Sequence, residues 1–217
     1  MNIFLDIVQV QLSKMVTFSY IVGDKSSMNC ALIDPAFDTK KLLDMIKKRG
    51  YGATHILNTH CHSDHTAGNA AVKSSTTAKL AIHFEDAKRL SAILNKAFSM
   101  ILGGNSSPKP DILLKDGDII QIGSISLQVI HTPGHTPGGV CFYTNGNLFT
   151  GDTLFVGGVG RTDLPGGSMS QLLKSIHEKI YTLPSDTIIW PGHNYGLFPY
   201  STISDEKRSN PFTMKNQ

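Results

Sequence analysis

Residues 59–65 read Thr59-His60-Cys61-His62-Ser63-Asp64-His65. Three imidazoles and a carboxylate this close together are hard to account for as packing, because buried polar groups without partners are costly. Neutral imidazole and carboxylate are the donors that Zn, Fe and Mn accept. Side chains two apart on an extended chain point the same way, so His60 and His62 can share one ion. The run directly follows His55-Ile56-Leu57-Asn58, which reads as a strand.

The same arrangement recurs downstream. The strand expected at 125–131 leads into Thr132-Pro133-Gly134-His135, that at 147–150 into Gly151-Asp152, and that at 187–190 into Pro191-Gly192-His193. Each time an apolar run meets a breaker and then a metal-ligand residue type. With the strand before the 59–65 run, four strand ends presenting ligands predict convergence on one edge of a sheet, where α/β folds place their sites. His60, His62, Asp64, His65, His135, Asp152 and His193 are seven donors. A single open tetrahedral site uses three protein ligands. Seven fit two such sites plus a bridging carboxylate, so two divalent metal ions are expected: zinc first, with iron or manganese also compatible. Two adjacent cations can hold a hydroxide and stabilise attacking and leaving oxygens together.

The remaining sequence predicts strands at 3–10, 16–22 and 28–33, with a turn at Gly23-Asp24-Lys25-Ser26. An amphipathic helix opens at Asp38, with Leu42, Leu43 and Ile46 on one face and lysines on the other, and stops at Gly50. A helix from about Thr66, a strand at 79–83 and one helix over 84–102 follow, the last patterned by Phe84, Ala87, Leu90, Ile93, Leu94 and Ala97. Strands at 112–114, 118–122, 125–131, 139–144 and 147–150 include a hairpin at Asn145-Gly146. A glycine-rich loop at 157–167, a helix capped by Ser168, a strand at 187–190 and a polar tail complete the chain. Alternating strands and helices place it in the α/β or α+β class, as one domain over 1–217.

Composition limits the function classes. The 217 residues are 40% hydrophobic and 17% charged, too apolar for a disordered chain. A net charge of +3 is too small to argue for a nucleic acid or membrane partner. No apolar run reaches the ~18–20 residues of a membrane span. Cys30, Cys61 and Cys141 form no CxxC, and the N-terminus is a poor signal peptide, so a cytoplasmic location is expected. Gly157, Gly158, Gly160, Gly166 and Gly167 lack the GK[ST] ending of a phosphate loop.

The 59–65 run resembles the THxHxDH signature of the metallo-β-lactamase superfamily, and His135, Asp152 and His193 fall where that family has its later ligands. The resemblance implies an αββα sandwich of two mixed β-sheets flanked by helices, with the metals at one rim. It implies that His60, His62 and His135 hold one metal, that Asp64, His65 and His193 hold the other, and that Asp152 bridges. It also implies catalytic roles for Asp64, which would orient the nucleophile, and for Asp152. HTPGHTPGG (131–139), LFTGDTLFVGGVGRTDLPGG (148–167) and TISDEKRSNPF (202–212) look like short glyoxalase II-like hydrolases; the related persulfide dioxygenases share GRTD. The expected function is therefore hydrolysis of a small acyl thioester by a metal-bridging hydroxide. The alternative is a mononuclear Fe(II) persulfide dioxygenase using His60, His135 and Asp152. Only 24 residues follow His193, too few for the C-terminal helical domain with which glyoxalase II helps to bind glutathione. β-Lactam hydrolysis is not expected. Arg161, Asn194 and Tyr195 are candidate substrate contacts. His55, His83, His131 and His177 read as structural and Cys61 as packing. The sequence does not specify an oligomeric state.

Overall fold

The computed structural model describes residues 4–90, 92–101 and 103–214. Six strands form the first sheet in chain order: β1 (Leu5–Gln11), β2 (Phe18–Asp24), β3 (Asn29–Ile33), β4 (Gly52–Leu57), β5 (Lys79–His83) and β6 (Ile112–Leu114). β1 to β3 pair antiparallel, and β3 to β6 are parallel. The second sheet contains β7 (Ile119–Ile122), β8 (Ile125–His131), β9 (Val140–Thr144), β10 (Asn147–Gly151), β13 (Ile188–Pro191) and β14 (Ser201–Thr202), in the order β14-β13-β10-β9-β8-β7. β11 (Leu154–Phe155) and β12 (Gly158–Val159) make a small hairpin inside the expected glycine-rich loop.

Two-sided burial explains the unbroken apolar strands. Phe18, Tyr20 and Val22 of β2 face the second sheet and meet Leu127, Val129, Phe142 and Phe149. Ile21 points the other way, into a layer with Leu42 and Ile46 of α1 (Thr39–Lys48), Val72 of α3 (Asn69–Ser75) and Leu90 of α4 (Phe84–Leu90). Beyond the second sheet, Leu148 and Ile189 pack with Leu172 of α6 (Met169–Ser175), with Ile176 and Ile180 of a π-helical continuation (Ile176–Ile180), and with Ile203 of α7 (Ile203–Ser209). The result is the αββα sandwich. Among the described residues no helix is long and apolar enough to cross a membrane.

Several boundaries move for identifiable reasons. β2 starts at Phe18, not residue 16, because Met15 and Val16 turn with φ of 52° and 46°. Gly23 and Asp24 belong to β2, and the turn lies at 25–28. The single helix expected over 84–102 is instead α4 and α5 (Ile93–Ile101). Asn95 Nδ2 donates to the carbonyls of Leu90, at 3.2 Å, and Cys61, at 2.7 Å. It thereby competes for a carbonyl that a continuous helix would use internally. The side chains of Ile93 and Leu94, and Leu102, lie outside the described residues. The helix expected from about Thr66 is preceded by α2 (Ser63–Thr66), and the polar tail forms β14 and α7, with Thr202 as N-cap.

Asp24 ties the two sheets together. Its carboxylate accepts from Ser26 N (2.9 Å), Ser26 Oγ (2.7 Å), Ser27 Oγ (2.8 Å) and, across in the β7–β8 turn, Ser124 N (2.7 Å). Burial alone would raise its pKa, but these donors hold it well below the usual carboxylate range. Asp24→Ala should therefore destabilise the protein by roughly 2–4 kcal/mol at neutral pH by leaving amides unpaired. A depressed folded-state pKa contributes stability above the unfolded value, near 4, and loses it as pH falls. The gap between wild type and variant in urea unfolding should narrow below about pH 4. A gap independent of pH would contradict an ionised Asp24.

Candidate metal centre

The four predicted strand ends meet at one rim of the sandwich. Thr59 to His62 follow β4, and Asp64 and His65 ride on α2. His135 follows β8, Asp152 follows β10 and His193 follows β13. Close packing here demands glycine: Gly151 has φ of 49°, and a Cβ on Gly192 would stand 2.5 Å from Asp152 Oδ1.

All seven predicted donors come together. Donor atoms of His60, His62 and His135 lie within 4.8 Å of one another, as do those of Asp64, His65 and His193. Asp152 lies between the two groups. Its Oδ1 is 3.2 Å from His65 Nε2, and its Oδ2 is 3.5 Å from both His135 Nε2 and His193 Nε2. Asp64 Oδ2 is 3.4 Å from His193 Nε2.

Outer hydrogen bonds fix the histidine tautomers. His135 Nδ1–H donates to the Arg161 carbonyl at 2.7 Å, and His193 Nδ1–H to the Met15 carbonyl at 2.9 Å. His65 Nδ1–H donates to Asp34 Oδ2 at 3.0 Å. Thr59 Oγ1–H donates to the same carboxylate at 2.6 Å, so this hydroxyl accepts His60 Nδ1–H at 3.1 Å. In all four rings Nε2 therefore faces inward, where it can bind a cation once it carries no proton.

The inward nitrogens crowd together as a cation site would. His65 Nε2 and His193 Nε2 face each other at 3.0 Å, and His62 Nδ1 and His135 Nε2 at 2.9 Å. Among the described residues buried His60 Nε2 has no hydrogen-bond partner, and Asp152 Oδ1 has only the 3.2 Å approach of His65 Nε2. Each close pair leaves room for only one proton between its two nitrogens, and the partnerless buried His60 Nε2 is costly; a divalent ion in place of those protons satisfies all of these nitrogens.

The two groups differ electrostatically. Burial and neighbouring imidazoles push His60 well below its ordinary pKa and His62 down to about 4. Burial would lower His65 and His193 too, but Asp152 and Asp64 outweigh it and raise them to about 10 and about 11. Asp152 shows the converse: burial opposes its charge, but His193 and His65 draw its pKa well down. A cation entering the second group must displace a proton.

The expected substrate contacts separate. The Tyr195 ring stacks on His193, with centroids 4.7 Å apart and planes 3° apart, and remains half-exposed. Exposed Arg161 forms a two-point pair with Asp163 at 2.7 and 2.6 Å. Asn194 is turned aside, donating Nδ2 to Gln11 Oε1 at 2.8 Å. His131 stacks on His83 at 4.0 Å and donates Nε2–H to the Pro137 carbonyl, consistent with a structural role. Cys61 is buried, which pushes its thiol pKa up, as packing predicts. Two residues escaped the sequence reading: Asp34, which repeats the pattern of an acid after a strand end, and Asp86, which looks like any helix acid.

The profile of the metallo-β-lactamase superfamily matches residues 13–193. The human mitochondrial persulfide dioxygenase ETHE1 is 36% identical over 198 residues, spanning 90% of this chain and 70% of that protein. A hydroxyacylglutathione hydrolase from a Polaromonas strain is 35% identical, spanning 82% and 62%. Among solved structures, the B3 metallo-β-lactamase BLEG-1 superposes with a TM-score of 0.87 at 34% identity, covering 97% of this chain and all of the other. TTHA1623 in a di-iron-bound form gives 0.82 at 32%, covering 94% and 99%. With seven inward-facing donors on the rim of an αββα sandwich and this breadth of similarity, the chain belongs to the metallo-β-lactamase superfamily.

Proposed function

We propose that this metal enzyme oxidises a persulfide with O₂, using one iron held by His60, His135 and Asp152. The observation that carries the reading is their convergence: buried His60 Nε2 lacks a hydrogen-bond partner, and His135 Nε2 lies 3.5 Å from Asp152 Oδ2. Two imidazoles and one carboxylate with open positions suit non-haem Fe(II) oxygenase chemistry. The 36% identity to human persulfide dioxygenase over 90% of the chain favours this over the thioester hydrolysis expected from the hydrolase-like motifs. Iron bound there would supply the redox chemistry that O₂ requires.

The chain's own residues orient and insulate. The Thr59 hydroxyl and the Arg161 carbonyl hold the His60 and His135 rings with their lone pairs inward. Burial keeps His60 and His62 uncharged at neutral pH. We place the substrate against Tyr195 and Arg161, an aromatic wall and a guanidinium that would exchange Asp163 for an anionic thiol compound. Asn194, which donates to Gln11, is the weaker candidate contact.

Thioester hydrolysis stands as the second reading, because Asp64, His65 and His193 form a group that a one-iron reaction does not need. The hydroxyacylglutathione hydrolase relative supports it. The deciding measurement is oxygen uptake by iron-loaded protein with glutathione persulfide, beside thiol release from S-lactoylglutathione by zinc-loaded protein with and without air. Oxygen uptake dependent on persulfide is expected. Thiol release indifferent to air, without oxygen uptake, would establish the hydrolase instead. The likeness to BLEG-1 adds a β-lactam to the same panel as a control.

A further inference from the structure

Asp86 belongs to α4, outside the four strand ends, yet it is fully buried behind the first donor group. One oxygen, Oδ2, accepts from Cys61 N at 2.9 Å, the amide between His60 and His62. The same oxygen accepts from Thr136 Oγ1 at 2.8 Å, one residue past His135. Oδ1 accepts from Gly138 N at 2.8 Å. A Cβ on Gly138 would stand 2.6 Å from the Asp86 amide nitrogen, so the loop can approach this closely only with glycine there.

These three bonds join two loops that share no strand. One carries His60 and His62, the other His135. The same helix holds a second handle, since Arg89 Nη1 donates to the Pro165 carbonyl at 2.7 Å. That pins the loop containing Arg161, whose own carbonyl fixes the His135 ring. Asp34 does the corresponding work for His65, and Asp86 touches neither Asp64, His65 nor His193.

We infer that Asp86 is a positioning residue for the His60/His62/His135 group alone, setting the distance between its two loops and hence its metal affinity. The inference rests on family membership and the donor geometry, not on which reaction the enzyme performs. An acid in the first turn of a helix ordinarily steadies that helix through its dipole. Asp86 instead directs all three of these bonds to the ligand loops. Losing the partners that orient metal ligands typically weakens affinity by about 10–100-fold.

The test compares Asp86→Asn in two backgrounds by chelator competition for Zn(II), with Co(II) absorption spectra reporting ligand geometry. His193→Ala leaves the first group intact, and His62→Ala leaves the second. In the His193→Ala background Asp86→Asn should weaken Zn(II) binding about 10–100-fold and change the Co(II) spectrum. In the His62→Ala background it should leave both as in the parent. Thr136→Val, which removes one of the three donors at nearly constant shape, should give a smaller loss with the same selectivity, and serves if Asp86→Asn does not fold. Equal weakening in both backgrounds would mark a merely structural role, and no weakening in either would remove Asp86 from the positioning of the metal; each overturns the inference.

Discussion

Asp152→Ala should lose metal from both donor groups and nearly all activity. This carboxylate lies between them, 3.2 Å from His65 Nε2 and 3.5 Å from His135 Nε2 and His193 Nε2. Its carboxylate is buried, and His65 and His193 offset its charge until a cation takes their place. Removing one member of a buried charge network costs about 3–5 kcal/mol. At 1.36 kcal/mol per tenfold, that is a loss on the order of 10²–10⁴. Elemental analysis and turnover measured together check it, and an Asp152→Ala protein that keeps metal and rate would take Asp152 out of the centre. The prediction holds for one iron or two zincs, because Asp152 is needed in either arrangement. His65→Ala separates them. In a binuclear centre it should strip the second ion more than the first, whereas saturation at one ion per chain in both proteins would exclude the binuclear form.

Asp34→Ala should damage both groups from behind. Asp34 is held at φ 49°, and its carboxylate accepts from Thr59 N at 2.8 Å, Thr59 Oγ1 at 2.6 Å and His65 Nδ1 at 3.0 Å. Through Thr59 it also fixes the His60 tautomer. Alanine leaves those buried donors without an acceptor, at a cost of about 3–5 kcal/mol. Asp34→Asn should be milder in stability and sharper in chemistry. It keeps the shape, but an amide NH₂ facing His65 Nδ1 forces the proton to Nε2, the atom that must bind the cation. We expect Asp34→Asn to unfold less readily than Asp34→Ala, and yet to bind Zn(II) about 10–100-fold more weakly than wild type in chelator competition. Wild-type affinity in Asp34→Asn would show that the carboxylate does not set the tautomer.

The two kinds of residue behind these predictions differ in how visible they are in the chain. The seven donors are visible because metal binding needs particular residue types, and here His135, Asp152 and His193 each stand just after an apolar strand and a breaker while the 59–65 run directly follows a strand, all local signals. The strand order was not visible, but convergence was, since parallel and mixed sheets gather strand ends on one rim. Alternation along β2 and the Leu42/Ile46 stripe likewise reported burial, because periodicity records which face of an element leaves water. Asp34, Asp86 and the Asn95 side chain that competes for a helix carbonyl carry no such mark. Their partners lie 25, 52 and 34 residues away. Asn194 and Tyr195 sit side by side after His193, yet one turns to Gln11 and the other stacks on the imidazole. The chain thus determined by itself which atoms could hold a cation and roughly where they gather. Only the tertiary structure decided which nitrogen of each histidine faces inward and which acids stand behind them. A hydrogen bond forms only across the few ångströms that folding closes between distant loops, and no local pattern records that distance.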